Sequence, residues 1–187
     1  LRTPASFRTY SRILFISAMC DLIGVCMLPA LIPRSVLFKE ANVLDYYGLC
    51  TFSSVETCWI CTGLVEMMIS LNDAFICVSF YYRLKVIGGN EPTGNRTYLT
   101  ICVVFLLHSP LCFGYIYGHQ RSHNIANYTT NLELFDELRG LTHFGIIEFA
   151  DPIAITMIGW SSISALAFFF AALLFRRKTI KGLMESQ

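Results

Sequence analysis

Four long apolar blocks constrain this chain more than any other feature of its sequence. They occupy residues 13–33, 58–82, 98–117 and 153–175. A membrane-spanning α-helix needs about 20 mostly apolar residues, because it rises about 1.5 Å per residue across a hydrocarbon layer of about 30 Å. In that layer the backbone groups of a helix bond within their own segment. The blocks therefore predict four transmembrane helices.

The overall composition indicates a membrane environment as well. Apolar residues make up 55% of the chain and charged residues only 14%, and the mean hydropathy is +0.55. In a soluble domain about a quarter of the residues are charged. We therefore predict an all-α, multi-pass integral membrane protein in which residues 1–187 form a single transmembrane domain.

The distribution of basic residues predicts the orientation of the helices. The amino-terminal stretch, the loop after the second block and the tail contain ten of the fourteen Lys and Arg residues, whereas residues 34–57 and 118–152 contain four. Cytosolic loops are enriched in Lys and Arg, so both chain ends are predicted to be cytosolic. The sequon at Asn127 then lies outside and is expected to be glycosylated, and the sequon at Asn95 is not. The alternative is that neither sequon is used.

The sequence contains little that indicates catalysis or metal binding. It has neither a Gly-rich phosphate loop nor a Gly-x-Ser-x-Gly elbow, and Cys58 and Cys61 have no second Cys or His pair to complete a zinc site. The eight cysteines are best interpreted as small apolar residues, although a bond between Cys50 and Cys58 is possible. We expect no enzyme activity, no cofactor, no metal and no nucleic-acid partner.

Polar side chains inside the apolar blocks are candidate functional residues. Placing a charge at the bilayer centre costs at least about 2.5 to 3.5 kcal/mol, so Asp21 is expected to face the bundle interior and to be paired, hydrated or protonated. In the second block Thr62, Glu66, Ser70 and Asp73 recur at spacings of 4, 4 and 3, which places them on one helical stripe. That stripe lines either a wet cavity or a structural hydrogen-bonded seam between helices.

Three short segments resemble a known receptor family. They are TPASFRTYS at 3–11, GLC at 48–50 and FYYR at 80–83. Together they are similar to nematode serpentine chemoreceptors, of the classes called Srd, Srh and Str. The resemblance implies a rhodopsin-like seven-helix bundle, of which this chain would hold helices two to five.

The broader rhodopsin-like pattern matches in part. Ala18 and Asp21 resemble the signature of helix two, and Cys58 lies 25 residues before Arg83, as the family's helix-three cysteine and arginine do. Two departures matter for the site. The acidic residue usual before that arginine is Tyr82 here, and residues 118–152 contain no Cys to pair with Cys58.

The resemblance implies a chemosensory receptor in the plasma membrane of sensory cells, with a small-molecule ligand and a heterotrimeric G protein as partners. It places Arg83 at the G protein and Asp21, Asn72 and Asp73 in a hydrated polar core. A second basic group at the cytosolic face either assists Arg83 or only sets topology and binds anionic lipid. That group consists of Arg176, Arg177 and Lys178.

A ligand entering from outside would first meet the start of the polar stripe. Trp59, Thr62 and Glu66 lie there, so we expect Glu66 to pair with a cationic or hydrogen-bonding ligand and Trp59 to provide a flat wall. Alternatively, Glu66 is bonded to a neighbouring helix. Two other functions remain open, a four-span transporter or channel subunit with a carboxylate path, and a scaffold without a ligand.

Overall fold

The computed structural model describes residues 5–38, 41–89, 92–128, 144–148 and 151–185. Within these residues are four long helices that are apolar enough to cross a membrane. They are α1 (Ala5–Leu31), α2 (Val55–Ile87), α3 (Gly94–Tyr128) and α4 (Pro152–Glu185). The prediction of four transmembrane helices is confirmed.

The helices are longer than the apolar blocks that predicted them. The third block ends at residue 117, but α3 continues to Tyr128 and at 35 residues is about 52 Å long. The end of an apolar block marks where a helix leaves hydrocarbon, not where its backbone hydrogen bonds stop. Asn127, expected in a loop, therefore lies in the last turn of α3.

Side chains that cap the first turn fix the starts of two helices. The Ser54 hydroxyl accepts a hydrogen bond from the Thr57 backbone N–H at 3.3 Å, just before α2. The Asp151 carboxylate accepts one from the Ile153 N–H at 2.7 Å, just before α4. Such caps satisfy backbone N–H groups that have no partner within the helix.

A small antiparallel sheet lies outside the helices, and no feature of the sequence predicted it. It contains β1 (Pro33–Phe38), β2 (Ala41–Tyr46) and β3 (Phe144–Glu148), with β2 in the centre. The first two strands form a hairpin, and β3 adds to β2 from the loop between α3 and α4.

The chain divides into two compact units. We call the first the Arg83 unit; it consists of Leu1–Ile23, Met68–Ser109 and Ser161–Gln187. The second, the sheet unit, consists of Gly24–Met67 and Pro110–Trp160 and includes all three strands.

Aromatic pairs join the helices within the Arg83 unit. One pair connects α2 with α3, one connects α3 with α4, and one connects α2 with α4. Their ring centroids are 5.6 to 5.7 Å apart, in the pairs Phe75 with Phe105, His108 with Phe168, and Tyr81 with Phe175. Tilted rings at this spacing attract one another by more than their apolar contact area alone.

In the sheet unit a glycine allows α2 and α3 to approach closely. A Cβ atom at Gly63 would lie 2.7 Å from the carbonyl oxygen of Cys112, which is backbone and cannot move aside. Small residues at such contacts let helices pack at short range in a bilayer. Position 63 therefore has room only for glycine.

Candidate functional site

Trp59 lies in the apolar core of the sheet unit. It is only 4% exposed and belongs to a buried cluster that also contains Leu31, Tyr46 and Cys50. Its indole stacks on the His119 ring, with centroids 6.1 Å apart and planes 17° from parallel. The structure therefore gives Trp59 packing contacts between α2 and α3 rather than an open face.

Thr62 joins α2 to the sheet. Its hydroxyl donates to the backbone carbonyl of Cys58 at 2.9 Å and lies 3.0 Å from the hydroxyl of Tyr46 in β2. Burial raises the pKa of Tyr46 to about 12, against a smaller lowering by the bond to Thr62. The pair therefore stays protonated at physiological pH and fixes the position of β2 beside α2.

Among Trp59, Thr62 and Glu66, the three residues expected at the ligand entrance, Glu66 is the most accessible. It is half-buried one turn beyond Thr62, on the same side of α2. Within the part of the chain that the structure describes, its carboxylate forms neither a hydrogen bond nor an ion pair. Tyr115 of α3 lies within electrostatic range of it. Of the three residues expected at the entrance, only Glu66 thus combines burial with a free polar group.

A disulfide bond lies in the sheet unit, next to Trp59 in the sequence. Cys50 and Cys58 are bonded, with Cα atoms 5.1 Å apart and a sequence separation of 8. The bond attaches the short 3₁₀ helix Leu49–Phe52 to the first turn of α2. The bond that the sequence left open is therefore formed, and Cys58 of α2 pairs with a cysteine of the segment that precedes the helix. Disulfides persist in oxidising compartments, which supports an outside location for this loop.

The polar core is only partly assembled in the Arg83 unit. The Ser17 hydroxyl of α1 donates to the Asn72 side-chain oxygen of α2 at 2.6 Å. Asp21, one turn further along α1, is exposed. That Asp21 faces the interior of a larger bundle stays a prediction, since these four helices leave its side chain uncovered. The helix presents Ser17, and not Asp21, to Asn72.

Asp73 borders a cavity of about 400 Å³ between α2 and α4. The other lining side chains are apolar or small and include Ile76, Phe168 and Ala172. His108, whose ring contacts Phe168 at 5.6 Å, is 1% exposed and bonds to the Val104 carbonyl through Nδ1 at 2.7 Å. Asp73 thus has an apolar setting with a histidine close by.

Arg83 lies at the end of α2 against an aromatic side chain of α1. Its Nε donates to the Tyr10 hydroxyl at 2.6 Å, and its Nη2 also contacts that oxygen. The guanidinium lies 4.9 Å from the centroid of the Tyr10 ring and 5.7 Å from that of Phe80. Tyr82 stacks on Tyr10 at 6.1 Å, with planes 19° apart. Cation–π attraction and hydrogen bonding together therefore hold the Arg83 guanidinium against α1.

Tyr10 was not predicted from the sequence to be a functional residue. Its one signal was its position within TPASFRTYS, the segment at 3–11 that resembles the receptor family. No spacing rule connects a residue in α1 with an arginine 73 positions later. Only the packing of α1 against α2 shows the contact.

The remaining candidates lie at chain segments with few described contacts. Arg176, Arg177 and Lys178 are exposed on the second half of α4. The Asn127 side chain lies outside the described residues, although its backbone belongs to α3. Among the residues that the structure describes, no three His, Cys, Asp or Glu side chains are grouped so as to hold a metal ion.

Comparison with known proteins gives one family. The family model described as serpentine type 7TM GPCR chemoreceptor Srd matches residues 1–187. The chain is 22% identical, over 117 residues, to serpentine receptor class delta-1 of Caenorhabditis elegans. That alignment covers 62% of the chain and 31% of the relative, so the chain spans about a third of the length of the curated relative it matches. No solved structure matches the chain.

Proposed function

Because the chain belongs to the Srd family of serpentine seven-transmembrane chemoreceptors, we propose that it forms helices two to five of a receptor that senses a small chemical and signals to a heterotrimeric G protein. The chain is a multi-pass membrane protein, and its family is one of receptors rather than enzymes. Family membership favours this function over a transporter or channel subunit. The ligand and the coupling to a G protein are the proposed part.

The half-buried Glu66 is the observation that supports a ligand site. A carboxylate on an apolar helix is costly without a partner, and no described residue pairs with it. A ligand with an amine or another hydrogen-bond donor would meet that requirement. In this proposal Thr62 and Trp59 position Glu66. Thr62 contacts Tyr46 and Trp59 contacts His119, and these contacts fix the orientation of α2 and thereby the direction in which Glu66 points.

Arg83 and the second basic group would form the G-protein side of the receptor. Arg83 is exposed despite its contacts with Tyr10, and the cations at 176–178 are exposed as well. Asn72 and Asp73 would belong to the hydrated core of the receptor. Asp21 would join that core by facing helices outside this chain, since its side chain points away from the described ones.

A Glu66→Gln variant of a full-length receptor that contains these helices tests the ligand site. Cells expressing it are exposed to a panel of water-soluble amines and alcohols, and signalling is recorded together with surface level. We expect an amine dose response shifted by about tenfold or more, at unchanged surface level, because a charge-assisted bond is lost. Glu56→Gln is the matched control, since Glu56 lies on the same helix and is exposed.

Two results would contradict the ligand site. If the Glu66→Gln protein does not reach the surface, Glu66 is a structural residue. If both variants shift the response equally, the effect is one of general charge and not of a site at Glu66.

A further inference from the structure

The Arg83 unit contains a second cavity, of about 580 Å³, that none of the roles above uses. It lies among the start of α1, the end of α2 and the start of α3. Its walls combine two cations, two tyrosines and apolar side chains, among them Lys85, Arg96, Tyr81, Ile13, Val78 and Leu99.

The start of α1, the end of α2 and the start of α3 meet at this cavity. The distribution of basic residues predicts that all three of these helix ends are cytosolic. The segment 83–97 joins α2 to α3 and contains three cations against one acid, Glu91, which lies outside the described residues. The cavity is therefore expected at the level of the inner-leaflet headgroups, beside the ends of the spans.

Lys85 and Arg96 make the cavity attractive to an anion. Neither forms an ion pair with a carboxylate in the described part of the chain, and the Lys85 Nζ lies 5.6 Å from the ring centroid of Tyr81. Arg96 is in the first turn of α3, which begins at Gly94. Backbone N–H groups in that turn lack partners within the helix, and the helix dipole adds positive potential there. Two cations and a helix start together suit a phosphate group.

The apolar walls indicate that the phosphate is part of a lipid. Ile13, Val78 and Leu99 line the same cavity as the two cations, and a volume of about 580 Å³ exceeds what a single phosphate would fill. We propose that this cavity binds the phosphate-bearing headgroup of an anionic lipid from the cytosolic leaflet, with Lys85 and Arg96 at the phosphate and the apolar walls along the glycerol and upper acyl chain.

Lipid occupancy of the purified 187-residue chain tests this proposal. The chain is placed in neutral phosphatidylcholine with phosphatidylinositol 4-phosphate, and retained lipid is counted by native mass spectrometry. The double variant Lys85→Gln with Arg96→Gln should reduce affinity for the phosphoinositide by about tenfold or more, as each cation near a membrane surface contributes about fivefold. Lys85→Arg with Arg96→Lys keeps both charges and should keep binding within about threefold.

The matched control removes two cations elsewhere. Arg176→Gln with Arg177→Gln changes the net charge by the same amount on exposed positions of α4, outside the cavity. It should leave phosphoinositide occupancy within about threefold of the unmodified chain. An equal loss in the control would overturn the proposal, because it would show general attraction to anionic lipid.

A soluble headgroup separates the two sources of phosphate. Inositol 1,4-bisphosphate has the phosphates without the acyl chains, so it should displace the lipid poorly. Displacement at the lipid's own concentration would assign the site to a soluble phosphate compound and overturn the lipid assignment. Far-UV circular dichroism of the glutamine variant, compared with that of the unmodified chain, separates a loss of lipid binding from a loss of fold.

Discussion

Arg83 donates its Nε hydrogen to the Tyr10 hydroxyl at 2.6 Å, across 73 positions of sequence. The residue before Arg83 is Tyr82 rather than the usual acid, and Tyr82 stacks on the same Tyr10 ring. This arginine is therefore bonded to a tyrosine hydroxyl of α1, whereas the rhodopsin-like pattern has an acidic residue at position 82. The contact restrains the guanidinium without cancelling its charge.

Removal of the Tyr10 hydroxyl should release Arg83. A Tyr10→Phe change keeps the ring under the guanidinium and beside Tyr82, so only the hydrogen bond is lost. In a full-length receptor we expect ligand-independent signalling to rise about twofold to fivefold, because the contact is exposed and contributes roughly 0.5 to 1 kcal/mol. The measurement is basal G-protein activation at equal surface level.

Tyr98→Phe provides the comparison for Tyr10→Phe. Tyr98 accepts a hydrogen bond from Arg12 and also lies below its guanidinium, 5.4 Å from ring centroid to Cζ. That pair is a tyrosine–arginine contact of the same kind, away from Arg83. Equal increases in both variants would mean that Tyr10 has no special role.

The Cys50–Cys58 disulfide should stabilise the sheet unit. Closing a loop of 8 positions restricts the unfolded chain, so Cys58→Ser is expected to lower the free energy of unfolding by about 2 to 3 kcal/mol. Thermal unfolding in detergent, with and without reductant, measures the loss. Cys61→Ser, one turn away on α2, is the control and should stay sensitive to reductant. A Cys58→Ser protein that reductant still destabilises would contradict the assignment.

Tyr46 should make the chain sensitive to alkaline pH. Its pKa in the folded chain is about 12, above the value of about 10 expected when unfolded. Its contribution to stability is therefore complete below pH about 10 and is lost as pH rises through about 12, by up to roughly 3 kcal/mol. Melting temperature between pH 8 and pH 11.5 is the measurement. Tyr46→Phe should show a smaller alkaline decline, whereas Tyr47→Phe, which removes an exposed hydroxyl, should decline as the unmodified chain does.

Glycan attachment tests the orientation. Asn127→Gln should remove a glycan, seen as increased gel mobility, and Asn95→Gln should leave mobility unchanged. Asn127 lies in the last turn of α3 and not in a loop. A glycan on Asn127 therefore also requires that this end of the helix has emerged from the bilayer. A glycan on Asn95 would reverse the orientation and move the phosphate cavity to the outer side.

The Asp21 carboxylate is expected to be needed for signalling. Its exposed carboxylate near the middle of α1 predicts contact with helices beyond the described ones, since lipid is a poor environment for a charge. In a full-length receptor Asp21→Asn should keep surface level and reduce signalling severalfold. Ser17→Ala on the same helix removes the bond to Asn72 and should act mainly through stability. Unchanged signalling in Asp21→Asn would leave Asp21 without a functional role.

The transmembrane helices could be predicted from sequence because their signal is local. Their apolar blocks alone gave the number of helices, and the segments at 3–11, 48–50 and 80–83 gave the family, which is confirmed. The faces of the helices were harder. In a bilayer apolar side chains meet both lipid and neighbouring helices, so apolar spacing does not show which way Trp59 or Asp21 points.

The sheet and the disulfide could not be derived because both depend on distant or irregular chain segments. Strand β3 pairs with β2 across a long separation, and neither strand has a clear alternation of polar and apolar residues. Cys50 reaches Cys58 only because a 3₁₀ helix and a turn at Ser53 lie between them. The sequence could give the candidates for that bond but not the geometry that forms it.

The central position of β2 also sets an order of events during biosynthesis. Asn42 pairs with Ile147, which the ribosome adds 105 positions later. At a synthesis rate of about 5 to 20 residues per second, β3 follows the β1–β2 hairpin after roughly 5 to 20 seconds. During that time the outer edge of β2 has no partner strand. Unpaired strand edges are sites for chaperone binding and for aggregation. Polypeptides that stop before Phe144 would therefore keep the outer edge of β2 unpaired. Chaperones that bind this edge could retain such incomplete chains in the cell.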